Sequence, residues 1–115
     1  LVLLHITSQE DWNAAIQAGE YRAASLATEG FIHLSTGQQI LTTANRFYLG
    51  QTGLLLLGIA SEKLTHPVRF EPVPDHGTFP HLFGALNLDA VTGIWTFEPQ
   101  IVGTFSLPED LQHAE

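Results

Sequence analysis

Two short stretches place an imidazole and a hydroxyl on the same side of an extended chain. In "HIT", residues 5–7, His5 and Thr7 bracket Ile6; in "FIHLS", residues 31–35, His33 and Ser35 bracket Leu34. Strand side chains alternate between faces, so each polar pair projects together and the aliphatic residue between them projects the other way. Imidazole titrates near neutral pH and can serve as acid, base or neutral hydrogen-bonding group. If the two strands are neighbours in a sheet, both rings face one cleft. A third imidazole, His81 in "FPHLFG", lies between Phe79 and Phe83 on what reads as an ordered loop, the kind of segment that closes over a site. Glu71, after Arg69 in "VRFEPV", is a candidate general base or stabiliser of a cationic sugar, with a pairing to Arg69 or Arg46 as its plainer reading. Arg46 is either a phosphate contact or part of a solvated helix face. Each histidine has a plain alternative too, as a satisfied structural residue. His76 in "PDHG" reads as an exposed turn residue, and His66 and His113 are given no role.

The elements that must position these groups follow from pattern. "LVLLHIT" reads as a buried first strand. Thr7 and Glu10 have capping-box spacing, so a helix opens there, carries Trp12, Ala15 and Ile16 on its apolar side and stops at Gly19. "FIHLS" is the second strand. "STGQ", residues 35–38, again has capping-box spacing, and Ile40, Leu41, Ala44, Phe47 and Tyr48 follow at helical intervals before Gly50. On this reading Thr7 and Ser35 are N-caps, and both strand histidines lie just upstream of a helix N-terminus that favours an anion. "GLLLLGIA", residues 53–60, is a central strand covered on both sides. "VRFEPV" is a short strand, 74–84 a loop, 86–98 mostly extended, "VGTFSL" a last strand and 109–115 a frayed acidic tail. Strands outnumber helices without alternating regularly with them, which predicts an α+β fold with a largely antiparallel sheet.

The totals narrow the function. The 115 residues suit one domain. Four basic residues, scattered, stand against 12 acidic ones for a net charge of −8, which argues against nucleic-acid or membrane surfaces. One arginine with backbone N–H groups could still hold an anionic small molecule. With no cysteine, disulfides and thiolate metal sites are excluded and a cytoplasmic setting is expected. Imidazole and carboxylate remain as metal ligands, but no HExxH or other close spacing marks a zinc site. The N-terminal "LVLL" is too short for a signal or spanning segment. The chain contains no Met, and a few residues are expected to precede Leu1.

"LLHIT", "EGFIHLS", "TANRFY" and "FPHLFGALNLDAV" together resemble the markers of domain-of-unknown-function family 952, over residues 3–108. That family in turn resembles the ADP-ribosyltransferase and RNA 2′-phosphotransferase superfamily. "HIT" is similar to its first-strand "HGT" and "WNAAIQAGEY" to the helix that follows. "FIHLS" is similar to the "HIHLA" strand of the phosphotransferases and to the strand before a Ser-containing helix in poly-ADP-ribosylating enzymes. "GLLLLGIA" is similar to the strand after that helix. The resemblance implies an ADP-ribosyltransferase-like split, largely antiparallel β-core with two or more flanking helices around an NAD cleft. It implies that His5 and Thr7 contact a ribose of NAD, that Ser35 and Tyr48 sit beside the nicotinamide, and that His33 matches the phosphotransferases' second histidine. Two departures accompany it: the transferases' catalytic glutamate has only Glu71 as a candidate, and three arginines are too few for the phosphotransferase set.

The expectation is a single domain that binds NAD, ADP-ribose or a related phosphorylated ribose. Catalytic candidates are His33, His5, His81 and Glu71; ligand-binding candidates are Thr7, Ser35, Tyr48, Arg46 and Phe79. NAD is a possible substrate, and no metal is assigned. Any chemistry would be cleavage or transfer at the ribose C1 or at a ribose phosphate; the negative net charge suits a cationic sugar held away from water. The rivals are a non-catalytic nucleotide-binding module on the same fold and a histidine-dependent metal hydrolase.

Overall fold

A computed structural model describes residues 1–111, and its architecture is organised by the aliphatic run at 54–60. Strand β4 (Leu54–Ala60) is buried along its whole length and pairs antiparallel with β1 (Val2–Ser8) on one side and β8 (Val91–Phe97) on the other. Alternation sends its side chains into two cores. Leu55, Leu57 and Ile59 join Leu3, Ile32, Leu34 and Leu82 on one face. Leu54 and Leu56 join Leu4, Ile6, Ile40, Ala44 and Phe97 on the other. That is why the run is continuous rather than alternating: neither face meets water. Truncating a fully buried member such as Leu57 to Ala should cost roughly 2–5 kcal/mol. Small residues matter as well. Trp95 lies over Gly58 and Gly93, and a Cβ on Gly93 would sit 2.4 Å from the indole.

A second antiparallel sheet has the order β3-β6-β5, from Ile32–His33, Gly77–Leu82 and Val68–Val73. A two-stranded ribbon pairs β2 (Glu20–Tyr21) with β7 (Leu86–Asn87). The two larger sheets meet at residues 32–35. Ile32 and His33 pair with β6, the Leu34 N–H donates to Pro80 O at 3.0 Å, and Ser35 then exchanges both backbone hydrogen bonds with Leu4 of β1 at 2.8 Å. Three helices flank the sheets: α1 (Gln9–Ala18), α2 (Ala24–Glu29) and α3 (Ile40–Phe47). The fold is therefore α+β with antiparallel sheets, as expected. Among the described residues no helix is long and apolar enough to cross a membrane.

Several local expectations are corrected. The cap of α1 is Ser8, whose hydroxyl accepts from the Asp11 N–H at 3.0 Å, and Thr7 is instead buried on β1 with its hydroxyl 3.1 Å from the Tyr21 hydroxyl. Glu10 and Asp11 in the first turn complement the positive end of α1. Ser35 does not cap α3 either: it is spent on the seam, and Gln39 holds the capping position, its side-chain oxygen accepting from Thr36 N–H. The segment read as a loop at 74–84 contains the central strand β6; what stays loop-like is the turn at 74–76, with Asp75 at φ 68°, and the pair Phe83 and Gly84 after the strand. Pro80 is accommodated because it needs only its carbonyl, which Leu34 uses. The proposed strand at 102–107 is irregular, with Phe105 buried and its N–H bonded to Asn45 Oδ1 at 2.7 Å. Glu109–Leu111 is not frayed but a short 3-10 turn that buries Leu111; the rest of that tail, with His113, lies outside the described residues. Helix α2 was not expected, since its six residues carry no apolar stripe.

Candidate functional site

A cleft of about 780 Å³ opens along the seam between the sheets, and both polar pairs line it, His5 with Thr7 from β1 and His33 with Ser35 from the bridging segment. His81 joins them from β6, with Phe79 one alternation earlier on the same strand, α3 adds Thr43 and Arg46, and its C-cap adds Tyr48. Eight of the nine residues singled out from the sequence therefore meet at one hollow. The ninth, Glu71, reaches the same place through His81.

His5 is the most constrained of them. It is 7% exposed, and both ring nitrogens have protein partners. Nδ1 lies 2.6 Å from the His33 carbonyl oxygen, which can only accept, so Nδ1 carries the proton. Nε2 lies 2.8 Å from the Tyr21 hydroxyl, which is also 3.1 Å from Thr7 Oγ1. The phenol has one proton for two neighbours. A neutral ring must accept at Nε2, so the phenol gives it that proton and the rotatable threonine hydroxyl gives its own to the phenol oxygen. Burial pulls the His5 pKa from 6.5 down to about 4, against the opposing effect of the hydrogen bond to His33, which keeps the ring neutral at pH 7. The same burial pushes the Tyr21 hydroxyl up to about 12. The expected pair of His5 and Thr7 is thus real, but its polar atoms are turned to Tyr21 and to the neighbouring backbone.

His81 is equally buried, at 4%, and only half satisfied. Its Nδ1 donates to Glu71 Oε1 at 2.8 Å. Phe31 stacks on the ring with centroids 4.0 Å apart, and the His33 ring meets it edge-on at 5.4 Å. Nε2, also buried, has no hydrogen-bond partner among the described residues. The register explains the pairing. His81 lies opposite His33 on one side and Arg69 on the other, and Glu71, two residues from Arg69, shares that face. Glu71 therefore pairs with a histidine and not with Arg69 or Arg46; Arg69 lies over the Phe83 ring instead, 5.1 Å from its centroid. A carboxylate behind an imidazole fixes its tautomer and leaves the far nitrogen as the acceptor, an arrangement suited to acid–base chemistry.

The remaining groups range from buried to exposed. His33 is exposed and paired with Glu29 at 3.1 Å. Ser35 Oγ is buried, 3.5 Å from Thr43 Oγ1. Burial raises the Tyr48 hydroxyl above its ordinary value. Arg46, exposed on α3, contacts the side chain of His76 from the β5–β6 turn, so His76 is a cleft residue rather than a bystander in solvent. His66 packs against Gly84 and bonds the Ala85 carbonyl oxygen at 3.0 Å, a structural role. Among the described residues no three His, Asp or Glu side chains are grouped to hold a metal ion.

Sequence reasoning passed over Tyr21, His76 and Phe31 as site components. Tyr21 carried one usable signal, a lone aromatic just after the glycine that ends α1. The other two depend on β6 being a strand.

The DUF952 family model, "Protein of unknown function", matches residues 6–94, and the chain belongs to that family. Its fold is similar to a crystal structure of protein CC0527 from Caulobacter crescentus, with TM-score 0.87 and 31% identity over 96% of this chain and 98% of that one. It is also similar to a solution NMR structure of CC0527, with TM-score 0.83 and 31% identity over 99% and 98% of the two chains. No curated protein matches the chain.

Proposed function

We propose that this member of the DUF952 family binds NAD, ADP-ribose or a related phosphorylated ribose, on an ADP-ribosyltransferase-like arrangement of two split sheets. One observation carries the reading: the two histidine-hydroxyl pairs, 28 residues apart in sequence, converge on a single cleft because Ser35 is hydrogen-bonded to Leu4 across the seam. Four features support the ligand class. The volume, about 780 Å³, falls in the range of small-molecule sites. Hydroxyl and imidazole groups in the interior suit the donors and acceptors of a ribose. Arg46 is the cleft's permanent cation, and among the described residues its partner is an imidazole and not a carboxylate. An arginine left without a carboxylate suits a phosphate. Phe79 and Tyr48 supply aromatic surface for a base.

In this reading His5 is a neutral strut that positions Tyr21 and the His33 backbone, while acid–base work falls to His81 with Glu71. Calorimetric titration with NAD, ADP-ribose and adenosine tests it. The two phosphorylated ligands should bind saturably and adenosine at least ten-fold more weakly, with Arg46→Gln erasing most of that difference. Failure of both phosphorylated ligands to bind would sink the reading. A nicotinamide-release assay then separates a transferase or hydrolase from a binding module.

A further inference from the structure

We propose that the buried Nε2 of His81 receives a hydroxyl proton of the bound ligand, with Glu71 as the residue that fixes the ring for it. The inference deepens the ribose reading and rests on it, but its grounds are separate. The carboxylate can only accept, so it holds the proton on Nδ1 and leaves the neutral ring a lone pair on Nε2. That nitrogen is out of contact with water and, among the described residues, bonded to nothing, in a ring that borders the cleft. A buried acceptor left unmade is costly, and proteins keep few of them. His5 shows the contrast, since there the same type of ring in the same cleft has both nitrogens engaged.

The chemistry sets the ligand's side of the contact. A lone pair accepts from O–H and repels a phosphate oxygen, so this position takes a sugar hydroxyl and the phosphate lies elsewhere, toward Arg46. Phe31 holds the ring plane by stacking at 4.0 Å, so the nitrogen's direction is set before the ligand arrives. The ring that meets His81 edge-on, His33, is tied only to Glu29 at the surface and can give way. On contact the O–H either stays whole as a hydrogen bond or passes its proton to Nε2. In the second case the ring becomes a cation paired with Glu71 and the oxygen keeps the electron pair.

The test uses the whole chain, ADP-ribose as the probe, and ring 15N spectra with calorimetry. In the unliganded protein the His81 spectrum should show a bare Nε2 and a protonated Nδ1, and Glu71→Leu should blur this into mixed tautomers. ADP-ribose should shift the Nε2 resonance. His81→Phe, which fills the space without nitrogens, should weaken ADP-ribose binding at least ten-fold, and Glu71→Gln, which keeps the hydrogen bond, several-fold less than Glu71→Leu. An unliganded spectrum with the proton on Nε2 overturns the inference whatever binds. Tight ADP-ribose binding with the Nε2 resonance unmoved and His81→Phe within two-fold of wild type overturns it while leaving the ribose reading intact. No ADP-ribose binding by wild type removes both.

Discussion

His5 and His81 are the same residue type, 7% and 4% exposed, on neighbouring sheets of one cleft, and they have opposite characters. His5 is closed. It bridges the His33 carbonyl to the Tyr21 phenol and so ties β1 to the bridging segment and to β2. His81 is open. Among the described residues it has one carboxylate partner, one stacking ring and one nitrogen unspoken for. Burial alone does not distinguish a structural histidine from a reactive one; the count of satisfied nitrogens does.

The comparison can be broken at its strongest point first. His5→Ala removes both hydrogen bonds and leaves the His33 carbonyl and the Tyr21 hydroxyl without their partner. Stability in urea should fall by roughly 3 kcal/mol, from cavity and orphaned polar groups together. A loss under about 1 kcal/mol would show that His5 is no strut.

Next is pH. The native ring of His5 stays neutral down to about 4, while the unfolded ring takes a proton near 6.5. The unfolded state therefore binds more protons across that window. The His5 contribution is complete above pH 6.5 and is lost as pH falls toward 4, by about 3 kcal/mol. Urea midpoints measured at intervals from pH 7 to pH 4 should show this slope in wild type, and His5→Gln should flatten it.

A smaller effect sharpens the role of the phenol. Tyr21→Phe deletes the donor to Nε2 but keeps the ring, and should cost about 1–2 kcal/mol by thermal or urea unfolding. His81→Phe is expected to move stability least, by less than about 1 kcal/mol in either direction, because one nitrogen was already unsatisfied and Glu71 can turn to water. A His81 variant as destabilised as His5→Ala would erase the distinction.

Much of this was legible in the sequence, for reasons that can be named. The run 53–60 announced a strand covered on both faces because period-2 alternation vanishes when both sides are buried. "HIT" and "FIHLS" announced the shared hollow because polar residues at alternate strand positions are conspicuous among aliphatics. What escaped lay in tertiary pairing. β6 was hidden by Pro80 and two glycines, which read as loop, and with it went the register that sets Glu71 beside His81. Thr7 and Ser35 looked like caps because capping-box spacing is a local signal; the next hydroxyl along, Ser8, took the first cap and the seam took Ser35. No local pattern could say that Tyr21, 16 residues on, would satisfy His5.

The most direct measurement of the central claim is an ADP-ribose titration followed in 1H–15N spectra of the whole chain. Saturable shifts on both sides of the seam are predicted, at Thr7 of β1, at Ser35, at Arg46 of α3 and at His81 of β6. Spectra unmoved at millimolar ADP-ribose, or shifts confined to surfaces away from the seam, would contradict it.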